Sequence, residues 1–181
     1  MRIIAGSQRG RKIVAPKNEA RPTLDRSKET LFNIIQFEIK GKDVLDIFAG
    51  SGALGLEAYS RGAKSVTFID NDFHSNEAIK RNCSVCGCDG NIIKADFAQA
   101  LQRLSGEKFG LVFIDPPYET DFCVTAMQML NQYHLLDSGA IVACEHKRDT
   151  VLPEKIYNLT VFKTRAVGIA NFTFYKYGEI L

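Results

Sequence analysis

Twelve residues, Val44-Leu45-Asp46-Ile47-Phe48-Ala49-Gly50-Ser51-Gly52-Ala53-Leu54-Gly55, constrain this chain more than any others. An apolar run with an acid inside it meets a glycine-rich turn, and a helical pattern over residues 53–60 follows. Glycine permits a tight turn and a close approach of backbone to ligand. The same strand-then-helix unit then recurs. Residues 65–69 are β-rich and precede a helix over 73–86. Residues 91–95 precede a helix over 97–104, and residues 111–114 precede one over 120–133. Residues 140–145 read as a fifth strand. Apolar strands that alternate with helices predict an α/β fold, a parallel sheet covered on both faces.

The two ends of the chain depart from that rhythm. Residues 160–166 and 172–177 are β-rich with only a short loop between them, which predicts a hairpin and so an antiparallel strand. Residues 2–5 and 12–15 read as two short strands around Gly6-Ser7-Gln8-Arg9-Gly10-Arg11. Residues 18–22 look like a linker. Leu24, Leu31, Ile35 and Ile39 keep helical spacing from near Thr23 to a stop at Gly41. The expected division is a hairpin and linker over residues 1–22 and one ligand-binding domain over residues 23–181.

The length of 181 residues suits one domain. No apolar run approaches the roughly 20 residues that cross a bilayer. The net charge of +2 is uneven. Residues 1–30 carry eight basic and three acidic side chains, and the remainder is net acidic. Gln8, Arg9, Arg11 and Lys12 sit in a loop with two glycines, a composition that suits phosphate contact. Five cysteines and no secretory signal after Met1 predict free thiols and a cytoplasmic protein.

Cys83-x-x-Cys86-x-Cys88 has no nearby fourth ligand. Ile79, Cys83 and Cys86 share one helical face, so these thiols read as core and no metal is expected. His74, His134 and His146 read as solvated or capping groups, and Met127 and Leu130 as helix core.

Gly50-x-Gly52-x-x-Gly55 with Asp70 twenty residues after Gly50 matches a dinucleotide fingerprint. An acid at the second strand end can accept from both hydroxyls of a ribose. Asp46 changes which nucleotide fits. A diphosphate gains little from a carboxylate there, whereas S-adenosylmethionine carries an ammonium and a sulfonium. Asp96-Phe97 can meet an adenine amino group and pack on the purine. Asp96 equally suits the N-cap of a short helix.

Asp115-Pro116-Pro117-Tyr118 closes an apolar strand. Proline explains a stiff turn there. It does not explain a carboxylate, a rigid carbonyl and an aromatic ring at the carboxyl edge of a sheet, where open α/β folds bind ligands. An exocyclic base amine is a weak nucleophile because its lone pair is delocalised into the ring. The Asp115 carboxylate and Pro116 carbonyl can accept its two N–H groups and aim the lone pair at a methyl donor. Tyr118 can stack on the base, a contact worth about 1–3 kcal/mol.

The glycine loop with Asp115-Pro-Pro-Tyr118 resembles class I S-adenosylmethionine-dependent methyltransferases that act on base amines. Arg2-Ile-Ile-Ala-Gly6, Arg9-Gly-Arg-Lys12, Arg21-Pro-Thr23, Asp25-Arg26 and Glu29-Thr-Leu-Phe-Asn33 narrow the resemblance to the RsmD family, bacterial 16S ribosomal RNA guanine-N2 methyltransferases. The resemblance implies a Rossmann-like sheet of seven strands, the last antiparallel, with helices on both faces and a small N-terminal hairpin. It implies S-adenosylmethionine as cofactor, bound by Asp46, Phe48, Gly50, Gly52, Asp70, Asn71, Asp96 and Phe97, with Thr30 and Asn33 near its amino-acid end. It implies Asp115, Pro116, Pro117 and Tyr118 as catalytic residues. Arg9, Arg11, Lys12, Arg21 and Arg26 are the RNA-binding candidates. The implied partner is 16S ribosomal RNA or the assembling small subunit, and the expected state is a monomer.

Leu24 stands where the family has a small polar residue, Val167-Gly168 where it has Tyr-Gly, and Asp70 where glutamate is commoner. The tetrad itself does not choose between guanine and adenine; only the N-terminal resemblance does. An adenine-N6 methyltransferase on RNA or DNA is therefore the nearest alternative. An NAD(P)-dependent oxidoreductase and a non-catalytic RNA-binding module are the alternatives from other classes.

Overall fold

The computed structural model describes residues 1–16, 25–117 and 121–178. Among them one eight-stranded sheet runs in the order β3-β2-β1-β4-β5-β8-β7-β6. Strands β1 (Asp43–Ile47), β2 (Ser65–Asp70), β3 (Asn91–Lys94), β4 (Phe109–Ile114) and β5 (Leu136–Lys147) are parallel. Strand β8 (Ala170–Tyr177) lies antiparallel beside β5, and β7 (Leu159–Val167) pairs with its far side. The C-terminal hairpin read from the sequence is this β7–β8 pair.

Alternation along the strands splits the core in two. Val44, Phe68, Phe113 and Ala143 face α1 (Asp25–Ile34), α2 (Ala53–Ser60) and α3 (Phe73–Cys86). Leu45, Ile47, Ile114 and Cys144 face α4 (Phe97–Arg103) and α5 (Phe122–Gln132). A strand buried on both faces has to be apolar throughout, which is why these segments lack polar alternation. Cys83 and Cys86 pack in the first of these layers, and Met127 and Leu130 in the second.

Three sequence expectations change. The sheet has eight strands rather than seven, because β6 (Lys155–Ile156) adds a two-residue pairing to the edge of β7. Tyr157, at φ 51°, makes the left-handed turn between them. Helix α1 stops at Ile34, not at Gly41. Beyond it the backbone turns so that Gly41 donates to Gly62 O at 2.8 Å, while Ile35 and Ile39 stay buried and Phe37 is left 92% exposed. The expected helix start at Thr23 and the linker lie outside the described residues.

The third change concerns the N-terminus. Its two predicted strands reduce to a single antiparallel bridge between Arg2 and Lys12. The hairpin is held by tertiary contacts instead. Ile3 and Ile13 are buried in the same core as α1 and α2. Glu57 on α2 accepts from Ile4 N at 2.8 Å and Ala5 N at 3.0 Å. Ser7 N donates to Ser60 O and Gln8 N to Ser60 Oγ. Gly6, at φ +84°, lies so close to α2 that a Cβ there would sit 1.8 Å from Ser60 O, so no other residue fits. At the other end, Asn82 on α3 exchanges hydrogen bonds with Val14 N and Val14 O, both 2.9 Å.

Candidate active site

The carboxyl ends of β1, β2 and β4 bring the expected site residues to one edge of the sheet. Asp115 N donates to Ile47 O at 3.4 Å, so the Asp-Pro-Pro turn begins beside the strand that feeds the glycine loop. Asp70, at the end of β2, spans the same loop. Its Oδ2 accepts from Gly50 N at 2.8 Å and its Oδ1 from Asp72 N at 2.9 Å. A carboxylate offers about four acceptor positions. Backbone amides occupy two, and the Ser75 side chain adds a further contact. Burial raises the Asp70 carboxyl above the ordinary carboxylate range, opposed by those two backbone donors.

Asp46 is placed differently from its expected position against a cationic ligand. It is 1% exposed and lies beneath the first turn of α2. Its Oδ2 accepts from Gly55 N at 2.8 Å, one of the amides that a helix start leaves without an intrahelical partner. Burial pushes its carboxyl up to about 8. Gly55 is fixed by packing: a Cβ there would come 2.4 Å from Phe68 and 3.1 Å from Asp46 Oδ2. Asp46 therefore shapes the loop from below, and any effect on a ligand passes through the loop.

Phe48 follows β1 with φ 62°, a left-handed conformation that costs a non-glycine residue about 1–2 kcal/mol. Its ring stacks on Phe122 with centroids 5.7 Å apart and an interplanar angle of 4°. Phe97 leans on both rings at 5.0 Å. Phe122, at the start of α5, was not among the sequence candidates. Nothing in its local sequence announces a partner 74 residues earlier. The three rings give the edge an aromatic floor between the ends of β1, β3 and β4.

The remaining candidates divide. Asp96 caps α4 by accepting from Ala98 N at 2.9 Å, so its N-cap role is realised. Asn71 is exposed beside Asp70. Asn76 was missed: its Nδ2 donates to Asp70 O at 2.9 Å and Asp72 O at 2.6 Å and fixes the β2–α3 turn. Thr30 directs its hydroxyl at Arg26 O within α1, and Asn33 is exposed. Among the described residues no hydrogen bond ties either one to the loop. Pro116 is buried and Pro117 exposed; Tyr118 and Arg21 lie outside the described residues.

Arg9, Arg11, Lys12 and Arg26 are exposed. The hairpin tip that carries Arg9 is bonded to Ser60 at the carboxyl end of α2, while the glycine loop sits at the amino end. Eight residues of helix, about 12 Å of rise, separate them. The basic tip and the glycine loop are thus at opposite ends of α2.

Beside the Asp-Pro-Pro turn is a cleft of about 180 Å³, lined by Pro116, Pro117, Cys123, Glu145, His146 and Val151 among others. His146 is buried rather than solvated or capping. Its Nε2 lies 2.9 Å from Thr173 Oγ1 and its Nδ1 2.9 Å from Lys147 O, and burial lowers its pKa. Among the described residues no cluster of three or more His, Cys, Asp or Glu side chains could hold a metal ion, and no helix is long and apolar enough to cross a membrane.

The donor set fits S-adenosylmethionine. Asp70 holds the glycine loop at Gly50 from the end of β2, where an acid opposes a diphosphate and suits a diol. The family model described as conserved hypothetical protein 95 matches residues 1–176. The chain belongs to the RsmD family. Ribosomal RNA small subunit methyltransferase D of Haemophilus influenzae is 37% identical over 97% of this chain and 93% of that protein. The protein of the same name from Escherichia coli strain K12 is 32% identical over 97% and 89%. A solved Escherichia coli structure matches this RsmD-family chain with a TM-score of 0.86 at 30% identity, covering 98% of both chains. The fold is the Rossmann-like class I methyltransferase fold, with the extra edge strand β6.

Proposed function

We propose that this chain transfers a methyl group from S-adenosylmethionine to the exocyclic N2 amine of a guanine in small-subunit ribosomal RNA. One observation carries the proposal. The Asp115-Pro116 turn leaves β4 beside a glycine loop held by two carboxylates, so an amine-binding group and a cofactor-binding group share one edge. The names of the family relatives support ribosomal RNA as substrate.

When bound, S-adenosylmethionine supplies an electrophilic methyl group. Asp70 holds the ribose through the acceptor capacity its loop contacts leave. Phe48, Phe97 and Phe122 pack the purine and exclude water from it. Asp46 fixes the loop by capping α2. The Asp115 carboxylate and the Pro116 carbonyl accept the two N–H groups of the target amine and turn its lone pair toward the methyl carbon. Asp115 also takes up the proton the amine sheds, and no proton has to leave beforehand. Positioning supplies most of the acceleration, within a ceiling of about 7–11 kcal/mol. Tyr118 stacks on the base. Arg9, Arg11, Lys12, Arg21 and Arg26 contact RNA phosphates, and the protein works as a cytoplasmic monomer.

The test is Asp115→Ala, with folding verified by circular dichroism. Methyl transfer to small-subunit RNA should fall at least about 100-fold, the low end of what removing a transition-state hydrogen-bond partner costs. Unchanged transfer by the folded variant overturns the proposal. Mass mapping of methylated nucleosides from cells with and without the protein identifies the base.

A further inference from the structure

We propose that Glu145 selects guanine over adenine by accepting the N1–H of the target base; the inference rests on the guanine reading above. The sheet register places it. Phe113 pairs with Ala143 and Ile114 with Cys144. One residue further along each strand come Asp115 and Glu145, on neighbours about 4.8 Å apart. Ala143 and Phe113 face the α1 layer, Cys144 and Ile114 the α5 layer. The next step in the alternation returns both acids to the same side.

The backbone of Glu145 is fixed from two directions. It pairs with Phe172 on β8, and its carbonyl accepts from Cys123 Sγ on α5 at 3.5 Å. The residue borders the cleft that Pro116 and Pro117 also line, and the strand alternation turns its carboxylate, like that of Asp115, toward the α1 side of the sheet, where its β8 partner Phe172 lies.

The chemistry then follows from counting hydrogens. Guanine presents three on this edge: one at N1 and two on the N2 amine. Adenine presents two on its N6 amine and a lone pair at N1. Asp115 and Pro116 O account for the two amine hydrogens of either base. An ionised glutamate is an acceptor only. Beside those two groups, Glu145 satisfies the N1–H of guanine and opposes the N1 lone pair of adenine. Asp115 handles the amine that both bases share, and Glu145 handles the position where they differ.

The experiment uses small-subunit RNA carrying either guanine or 2-aminopurine at the mapped target position, joined by splinted ligation. 2-Aminopurine keeps the N2 amine and has a lone pair at N1. The full-length wild-type protein should favour guanine by about 10–100-fold in kcat/KM. Glu145→Gln, whose amide can donate to that lone pair, should bring the ratio close to one. Glu145→Ala should lower it as well. A folding defect lowers both rates together and leaves the ratio alone. A ratio unchanged in both variants, with N2-methylguanine still the product, overturns the role of Glu145 alone. A wild-type ratio near one does the same. A product other than N2-methylguanine overturns the guanine reading and this inference with it.

Discussion

Lys28 and Glu57 meet at 3.5 Å with neither side chain exposed to solvent. Glu57 also pairs with Arg61 at 2.9 Å and accepts from the backbone amides of Ile4 and Ala5. Lys28 donates to Arg2 O at 2.7 Å. The two charges thus join α1, α2 and the hairpin. Burial lowers the Lys28 pKa, opposed mainly by Glu57. Breaking a buried pair from one side leaves a charge stranded and costs about 3–5 kcal/mol. Glu57→Ala should lose about that much in urea unfolding and expose the first sixteen residues to protease. Lys28→Met should cost less, because Glu57 keeps Arg61 and both amides.

Asp46 sets a pH dependence. Its folded carboxyl titrates near 8, far above the ordinary 3.8. A raised folded value means the folded state holds a proton that the unfolded chain releases. The stability this confers is complete below about pH 4 and is lost as pH rises through about 8. Asp46→Asn keeps an acceptor for Gly55 N and carries no titration. Melting temperatures at pH 6, 7, 8 and 9 should fall for the wild type relative to Asp46→Asn. Parallel curves would contradict the assignment.

Phe122 tests the aromatic floor. Phe122→Ala removes the ring stacked on Phe48 and one of the two that Phe97 leans against. Aromatic pairs add about 0.5–1.5 kcal/mol beyond burial. The thermal shift produced by S-adenosylhomocysteine should shrink in the variant. NAD should shift neither protein. Shifts of equal size in both proteins would remove the ring from the cofactor site.

The exposed tip makes a prediction about salt. Each phosphate contact contributes roughly 0.7–0.9 to the slope of log affinity against log salt. Arg9→Ala with Arg11→Ala should flatten that slope by up to twice this amount in RNA-binding titrations, with the melting temperature retained. Arg11 is held by Gln8 Oε1 at 2.9 Å on the surface and supports no core. An unaltered slope would assign these charges to solvent.

Where local chemistry decides an element, its limits were legible in the sequence. Helix α3 begins at Asp72, whose carboxylate accepts from Ser75 N, and ends at Gly87 with φ 63°. Its predicted span of 73–86 matches for that reason. The glycine loop and the place of Asp70 at the end of the second strand were legible in the same way; its bond to Gly50 N was not. What escaped depends on residues distant in sequence. Helix α1 ends at Ile34, and the chain beyond it runs to a contact between Gly41 N and Gly62 O, 21 residues apart in sequence. Asp46 looked like a ligand-facing acid because its partner, Gly55 N, is a backbone group with no side-chain signature. His146 looked solvated because Thr173, its partner, lies on an antiparallel strand 27 residues away. Glu145 drew no notice at the end of an apolar run; only the β4–β5 register sets it beside Asp115.

The docked hairpin has a consequence for biosynthesis. Val14 finds its hydrogen-bond partner 68 residues later, at Asn82. At about 5–20 residues per second, Val14 waits roughly 3–14 s before Asn82 has been made, and the neighbouring Ile3 and Ile13 wait with it. Residues 1–16 are thus made before the α2 and α3 surfaces on which they are seated. Arg2, Arg9, Arg11 and Lys12 flank those two isoleucines, and their charge favours hydration of the segment until it docks.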